Sequence, residues 1–521
     1  MRRGSVTHVI SAALLTFGGL SPARAQQRSA YEELQTFSGV LSYVRVNYVD
    51  SADFSGLIRA AIDGVLRSLD PHSYFLRRED LEKLAAWEQG RLVTTGLLLE
   101  FQEGAVSVGA VVPESPASKA GILPGDRLVA MNDTSVAGQP LPRLQARLVG
   151  EKGSKVRLTL VRGSRLEPDT LVVTLKRSVV SVRSTFVVRM ADSITGYVQL
   201  QDFKLGAGKD VHEALDRLRG AGARQIILDL RLNPGGLMAA AVDVASELLL
   251  RNTLVFRTQG RKIDTNRAFV TDRDGSFSNI PLIVLIDPGT ASAAEALAAC
   301  LQDHDRALIL GRTSFGKALE QASFPLPSGD VVMLTIARVV SPSGRVIQRR
   351  YEGLGYEQYV SLAGRGGDSS DTARAFRTDH GRTVKGGGGV TPDITLPPGA
   401  AMPVWWSVAM DSGFASAVAD SVAHSLAATP AERVRWVASS DRWRQSLLAP
   451  FLERVRDRLH VNAQPDSLQT ERITLMLAAR AADERWPPDG GQEVYVRNDP
   501  AIRLALTYFP RLPDLLAPPS R

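Results

Sequence analysis

Two short segments bring a hydroxyl and an amine to places where each can do chemistry. Gly289-Thr290-Ala291-Ser292-Ala293-Ala294-Glu295 follows the apolar run 281–286, and Ser314-Phe315-Gly316-Lys317 follows the apolar run 307–310. The first reads as a buried strand, a tight turn and a serine at the first turn of a helix. There, backbone N–H groups lack intrahelical partners and can hold a developing oxyanion. The second delivers a lone lysine from a glycine-containing loop. A lysine enclosed by apolar surroundings loses proton affinity and can act as a base. The pair points to a serine hydrolase in which lysine stands in for histidine.

Each residue also has a plainer reading. Ser292 and Glu295 fit a capping box, in which the two side chains satisfy helix-end donors. Thr290 is an alternative cap, which would free Ser292. A Gly-Lys pair in a loop is more often a solvated surface group. Chemistry is favoured because both residues stand at the ends of neighbouring apolar strands, where α/β sheets place their sites. Gln321 carries an amide that can orient the lysine, or it is a polar residue at a strand start. The segment Asp229-Leu230-Arg231-Leu232-Asn233-Pro234-Gly235-Gly236 links a strand to a helix. The N–H groups of Gly235 and Gly236 could form one side of an oxyanion hole and that of Ala293 the other, or the glycines simply make the turn. Asp229 and Arg231 read as an ion pair supporting it.

Other chemistries fit poorly. His304 lies twelve residues beyond Ser292, roughly 18 Å away along a helix, too far for a triad. The Gly-x-Ser-x-Gly elbow is absent. Gly311 to Lys317 has P-loop spacing, but Ala318 stands where a metal-binding Ser or Thr is needed. Ser314 and Lys317 have the Ser-x-x-Lys spacing of penicillin-binding enzymes without the companion motifs. Cys300, on the same helix as Ser292, suits a buried apolar role.

The elements that must position these groups follow from pattern. Residues 26–93 read as helical, with a turn at Leu69-Asp70-Pro71-His72-Ser73; 94–178 alternate short strands and turns in a small β-rich module. From 179 to 400 strands and helices alternate, which predicts an α/β layered core with parallel pairing. A Gly/Ser-rich loop at 363–372 interrupts it. Residues 401–521 read as helical with a fraying proline-rich tail. The 521 residues are 44% hydrophobic and 22% charged, with a net charge of +7 and no basic block, so nucleic acid is not implied. The single cysteine excludes an internal disulfide and a cysteine-based metal cluster. Arg2 and Arg3, the apolar stretch from Val9 to Leu20 and Ala23-Arg24-Ala25 form a secretory signal pattern over residues 1–25. It implies export to a periplasm or cell envelope. The alternative is a chain anchored in the membrane by an uncleaved signal, although the apolar stretch is short for a span.

The motifs, taken together and in order, resemble those of the carboxyl-terminal processing (tail-specific) proteases over residues 38 to 395. They include Leu-Asp-Pro-His-Ser at 69–73, Ser115-Pro116-Ala117 through Ala120-Gly121-Ile122 to Pro124-Gly125-Asp126, and Asp229 to Gly236. Ala291-Ser292-Ala293, Phe315-Gly316-Lys317, Pro342-Ser343-Gly344-Arg345 with Ile347-Gln348, and Gly389-Val390-Thr391-Pro392-Asp393 complete the series. The resemblance implies a crotonase-like catalytic core with an inserted PDZ domain and helical regions at both ends. It implies Ser292 as nucleophile, Lys317 as general base and Gln321 as the lysine's partner, with no cofactor. It also implies protein or peptide substrates recognised near the C-terminus by the PDZ domain. Gly96-Leu97-Leu98-Leu99 resembles the loop and strand edge that take a peptide, with Leu98 and Leu148 beside a pocket for an apolar last residue. Envelope association and a homo-oligomer stay open. Val149 replaces an arginine common in relatives, and Ala318-Leu319-Glu320 replaces a more usual Gly-Ser/Thr-Val after the lysine. The rival reading is a non-catalytic PDZ scaffold on a degenerate peptidase core.

Overall fold

The computed structural model describes residues 29–102, 105–137, 139, 141–162, 169–363, 375–399 and 401–518. The signal segment at 1–25 and nearly all of the Gly/Ser-rich loop lie outside them. Two compact units divide the chain between Val65 and Leu66. The first consists of the helix Ala30–Asn47 and most of Phe54–Arg67. Ala30–Asn47 starts on a reciprocal cap, in which the Glu32 amide donates to Ser29 Oγ at 3.3 Å and the Ser29 amide donates to Glu32 Oε2 at 2.8 Å. Among the described residues, no helix is long and apolar enough to cross a membrane.

The second unit is built on a six-stranded sheet. Its order is Thr185–Met190, Thr195–Leu200, Gln225–Asp229, Leu282–Ile286, Leu308–Gly311 and Ile394–Thr395. Only the first pair is antiparallel. The strand sequences are continuous apolar runs because both faces are covered. Ile226, Leu228, Leu282, Val284, Ile286 and Ile309 pack against the helices Ala207–Gly220, Met238–Leu248 and Ala293–Asp303. The alternate residues Ile227, Ile283, Leu285, Leu308 and Leu310 point the other way. They meet Val496, Ala501, Ile502, Ala505, Phe509 and Leu512 of the C-terminal helices. Without that layer each strand residue would lose the roughly 1.5–3 kcal/mol of a buried aliphatic side chain. The expected fraying tail is thus corrected, since Leu512–Leu516 is helical and Leu512 is buried on this face. The helices from Val404 to Arg485 pack around Trp436, Trp443 and Phe451 in a separate apolar cluster.

A second, antiparallel sheet combines Tyr74–Leu76, Leu319–Pro325, Val331–Val340, Leu254–Gly260 and Ala268–Val270. Tyr74–Leu76 lies in a region read as mainly helical. It is three residues long, so its pairing with Val331–Met333 rather than any local periodicity makes it a strand. The β-rich module carries Leu97–Gln102, Ala105–Val111, Arg127–Met131, Lys155–Arg162 and Asp169–Lys176 in one sheet, with the helix Leu141–Leu148 against it. Arg91–Thr94 and Ser178–Ser181 form an antiparallel ribbon at its base.

Candidate active site

The fully buried strand Leu282–Ile286 ends in a turn that hydrogen bonding over-determines. Asp287 Oδ1 accepts from the amides of Gly289 and Leu232, both at 2.9 Å. Thr290 Oγ1 donates to Leu230 O at 2.7 Å, so its hydroxyl braces two turns and does not cap the helix. Ser292 follows at φ +57°, ψ −118°, a region that costs a non-glycine residue on the order of 1–3 kcal/mol. Its Oγ makes no cap hydrogen bond, whereas its amide donates to Glu295 Oε2 at 2.9 Å. Only one arm of the anticipated capping box is therefore a close hydrogen bond. A strained strand-to-helix turn that presents a serine is the device of the hydrolase elbows, reached here without their motif.

Leu308–Gly311 feeds the loop that carries Lys317. Ser292 and Lys317 line one small cavity with Met238, Ala296, Ala318, Leu319, Val339 and Ile347. Apart from the two functional groups its lining is apolar. Burial lowers the Lys317 pKa below the usual lysine range, opposed by the charges of Glu295 and Asp70. Glu295 joins the two loops. It is fully buried, and its carboxylate accepts from the amides of Ser292 (2.9 Å), Gly316 (2.6 Å) and Lys317 (2.8 Å) and from Ser314 Oγ (2.5 Å). Burial raises its pKa to about 7, against the pull of those four donors. Sequence spacing marked Glu295 only as a capping partner. Its reach across the sheet could not be read without the fold.

The glycine turn lies directly against the serine. A Cβ on Gly235, at φ +94°, would sit 2.7 Å from Ala291 O and 2.8 Å from Ser292 Cβ, so only glycine fits. The expectation that Gly235 offers a donor is corrected, because its amide donates to Asn233 Oδ1 at 2.8 Å. Gly236 takes φ +144° beside Phe203. Ala293 opens the helix after Ser292. The ion pair at the start of this turn is larger than expected. Arg231 Nη2 donates to Asp229 Oδ2 at 2.6 Å, and Tyr197 OH donates to the same oxygen at 2.8 Å. Arg231 Nη1 donates to Asp499 Oδ2 at 3.0 Å, while Asp499 Oδ1 accepts from the Ala501 and Ile502 amides as the cap of Pro500–Tyr508. The C-terminal layer is thus tied to the glycine turn. Asp499→Asn keeps the cap but drops the charge. It is expected to destabilise by about 1 kcal/mol and to lower kcat several-fold, read by thermal melting and steady-state cleavage.

Gln321 is not placed as expected. The Gln321 amide donates to Leu319 O and Thr335 Oγ1, both at 3.3 Å, from inside the strand Leu319–Pro325. Gln321 pairs directly across the sheet with Thr335, after a register shift at Glu320, and the Thr335 hydroxyl donates to Asp70 Oδ1 at 3.1 Å. The 69–73 segment, a helix end and turn in the sequence and one of the motifs of the resemblance, therefore belongs to the site. Asp70 also accepts from the His72 and Ser73 amides at 2.7 and 2.8 Å and from Ser73 Oγ at 2.7 Å. Its charge raises the Lys317 pKa. His72 shares a 2.9 Å hydrogen bond with Tyr359 OH, and burial, then Lys317, lower its pKa to about 4. It is neutral wherever the lysine can work. His304 is remote in role, bound to Asp379 and to Leu254 O at 2.7 Å each. Cys300 is fully buried, which pushes its thiol pKa well up. Among the described residues, no group of three or more His, Cys, Asp or Glu is placed to hold a metal ion.

In the β-rich module Gly96 takes φ +85° against Ser115. Leu97 and Leu148 are buried in the module's core, while Leu98 is half exposed at the strand edge. Of the two pocket leucines expected, Leu148 is wholly occupied in packing.

A serine on a strained turn and a lysine of lowered basicity line one cavity, on a chain that also carries a small β-rich module, and this arrangement is of the kind a serine peptidase uses. Residues 194–360 match the profile of peptidase family S41, and residues 107–162 match that of a PDZ domain. The carboxy-terminal-processing protease of Bartonella bacilliformis is 32% identical over 331 residues, 62% of this chain and 74% of its own. The carboxyl-terminal-processing protease of a Synechocystis strain is 34% identical, over 56% of this chain and 68% of its own. A solved photosystem II D1 C-terminal processing protease aligns over 71% of this chain and 87% of its own, at 27% identity and a TM-score of 0.37. The chain belongs to peptidase family S41, the C-terminal processing proteases, and carries their PDZ domain. The relatives are proteases by name, which sets aside the scaffold reading.

Proposed function

We propose that this peptidase cleaves peptide bonds with Ser292 as nucleophile and Lys317 as general base. The observation that carries the reading is the single apolar cavity that the two side chains share. Neutral Lys317 takes the Ser292 proton as Oγ attacks the carbonyl carbon. The oxyanion rests on the amides of Gly236 and Ala293, at the end of a helix dipole. Collapse of the adduct breaks the C–N bond, and the lysine ammonium returns its proton to the leaving amine. Water, deprotonated by neutral Lys317, then hydrolyses the acyl-enzyme. Gln321 acts at one remove, through Thr335 and Asp70. Substrates are presented by apolar C-terminal residues lodged near Leu98, and the N-terminal signal pattern sends the enzyme out of the cytoplasm.

Ser292→Ala is expected to fold normally, to lose labelling by a serine-reactive phosphonate and to leave casein intact. Cleavage by the purified variant at the wild-type rate would overturn the nucleophile. One unstructured substrate bearing a Val-Ala-Ala or an Asp-Asp-Asp tail tests the docking. The apolar tail should be cleaved faster, and Leu98→Asp should remove the difference, since a charged tail enters an apolar pocket unpaired.

A further inference from the structure

The peptide groove of the PDZ domain is occupied by one of the domain's own side chains. Leu97–Gln102 pairs with Ala105–Val111 along one edge, and the helix Leu141–Leu148 runs along the other. On that free edge stand the Leu97 carbonyl and the Leu99 amide. In an antiparallel ladder the carbonyl accepts from the amide of one residue of an added strand, and the amide donates to the carbonyl of the residue two positions away. Gln145 takes both. Its Oε1 accepts from the Leu99 amide at 2.8 Å, and its Nε2 donates to Leu97 O at 3.0 Å. A carboxamide carries both a donor and an acceptor, so the one side chain of Gln145 fills the two edge positions that a bound tail would pair with. Leu144 and Leu148, both fully buried, hold the helix that delivers it. A second observation comes from the loop that leads into the strand, where Thr95 Oγ1 is buried with no hydrogen-bond partner. A hydroxyl left unpaired at that end of the groove can donate to a terminal carboxylate.

We infer that Gln145 is a gate on the PDZ groove, and that an incoming C-terminal strand binds by displacing its carboxamide from Leu97 and Leu99. This rests on the reading that the domain takes substrate C-termini. In the gated state the tail exchanges two existing hydrogen bonds for two new ones and gains little at that position. Affinity must then come from the side chain lodged near Leu98 and from the carboxylate. The gate therefore sharpens selection, because a tail that only adds backbone pairing cannot open it.

The test uses the full chain with Ser292→Ala, so that tails bind without being cleaved. A fluorescein-labelled peptide ending in Val-Ala-Ala is titrated against this protein and against the same protein with Gln145→Leu, which keeps bulk and removes the carboxamide. Two hydrogen bonds no longer need breaking, so Gln145→Leu should tighten binding roughly five- to thirty-fold. Hydrogen exchange reads the same edge directly. The Leu99 amide should exchange faster in Gln145→Leu without peptide and become protected when peptide is added. Gln145→Met serves as a second variant should the leucine disturb folding. Equal or weaker binding by a folded variant overturns the gate and leaves C-terminal docking standing. Binding by neither protein overturns the docking reading and the gate with it.

Discussion

Lys317→Arg protein is expected to be folded and to cleave casein roughly 10²–10⁴-fold more slowly than the wild type, the range a positioned general base contributes. The guanidinium fills the same apolar cavity and carries the same charge, but it cannot lose a proton in this pH range. The wild type should show the complementary pH dependence. Burial lowers the Lys317 pKa, while Glu295 and Asp70, the negative groups facing it, hold it up. Only the neutral amine accepts the serine proton, so activity rises with pH through that lowered pKa and is lost below it. His72 cannot be the group responsible, since its pKa of about 4 leaves it neutral throughout. Asp70→Asn removes a charge that stabilises the ammonium, and the acidic limb of the profile should move to lower pH. The limb should also shift with temperature as an amine's does and a carboxylate's does not. A profile unmoved by Asp70→Asn, or a fully active arginine variant, would show that another group takes the proton.

Glu295→Gln is expected to lower kcat on the order of 10²-fold while leaving KM nearly unchanged. The wild-type carboxylate has two accepting oxygens and four donors directed at them. An amide turns one oxygen into a donor, so at least one buried N–H in the catalytic loops loses its partner, at about 1–3 kcal/mol. The charge it removes was itself costly. The folded pKa of about 7 lies above the usual glutamate value. This residue's contribution to stability is therefore greatest below the unfolded pKa and is lost as pH rises through about 7. The two effects oppose each other in stability, so the net loss at neutral pH should be modest. They do not oppose each other in catalysis. Ser292 and Lys317 are both held through their own amides on this carboxylate, and a misplacement of about 1 Å in a reacting group can cost about 10²-fold. Steady-state kinetics with a thermal melt separates the outcomes, and full kcat in a folded variant would refute the clamp.

What was legible in the sequence was what local chemistry dictates. The apolar runs at 281–286 and 307–310 are strands because residues buried on two faces must be apolar throughout. Ser292 and Lys317 could be singled out because a serine at a helix start and a lysine after a buried strand are recognisable within a few residues. Gly235 is legible too, since a glycine pair allows close backbone approach, and its missing Cβ leaves the space that Ser292 fills.

Pairings between distant segments were not legible. Asp70 lies 247 positions before Lys317 in the chain yet faces it, and Asp499 closes on Arg231 from the far end. A carboxylate looks the same in sequence whether it is solvated or clamped, since its partners are chosen by sheet order and helix packing. Gln321 shows the same limit from the other side. It lies four residues from Lys317 in the chain, but its amide donates to Thr335, its partner across the sheet. Residue type and local periodicity determined which groups could react and which segments could be buried. The tertiary structure decided which charges meet at low dielectric and which donors are already spent, because those depend on contacts that no short stretch of chain contains.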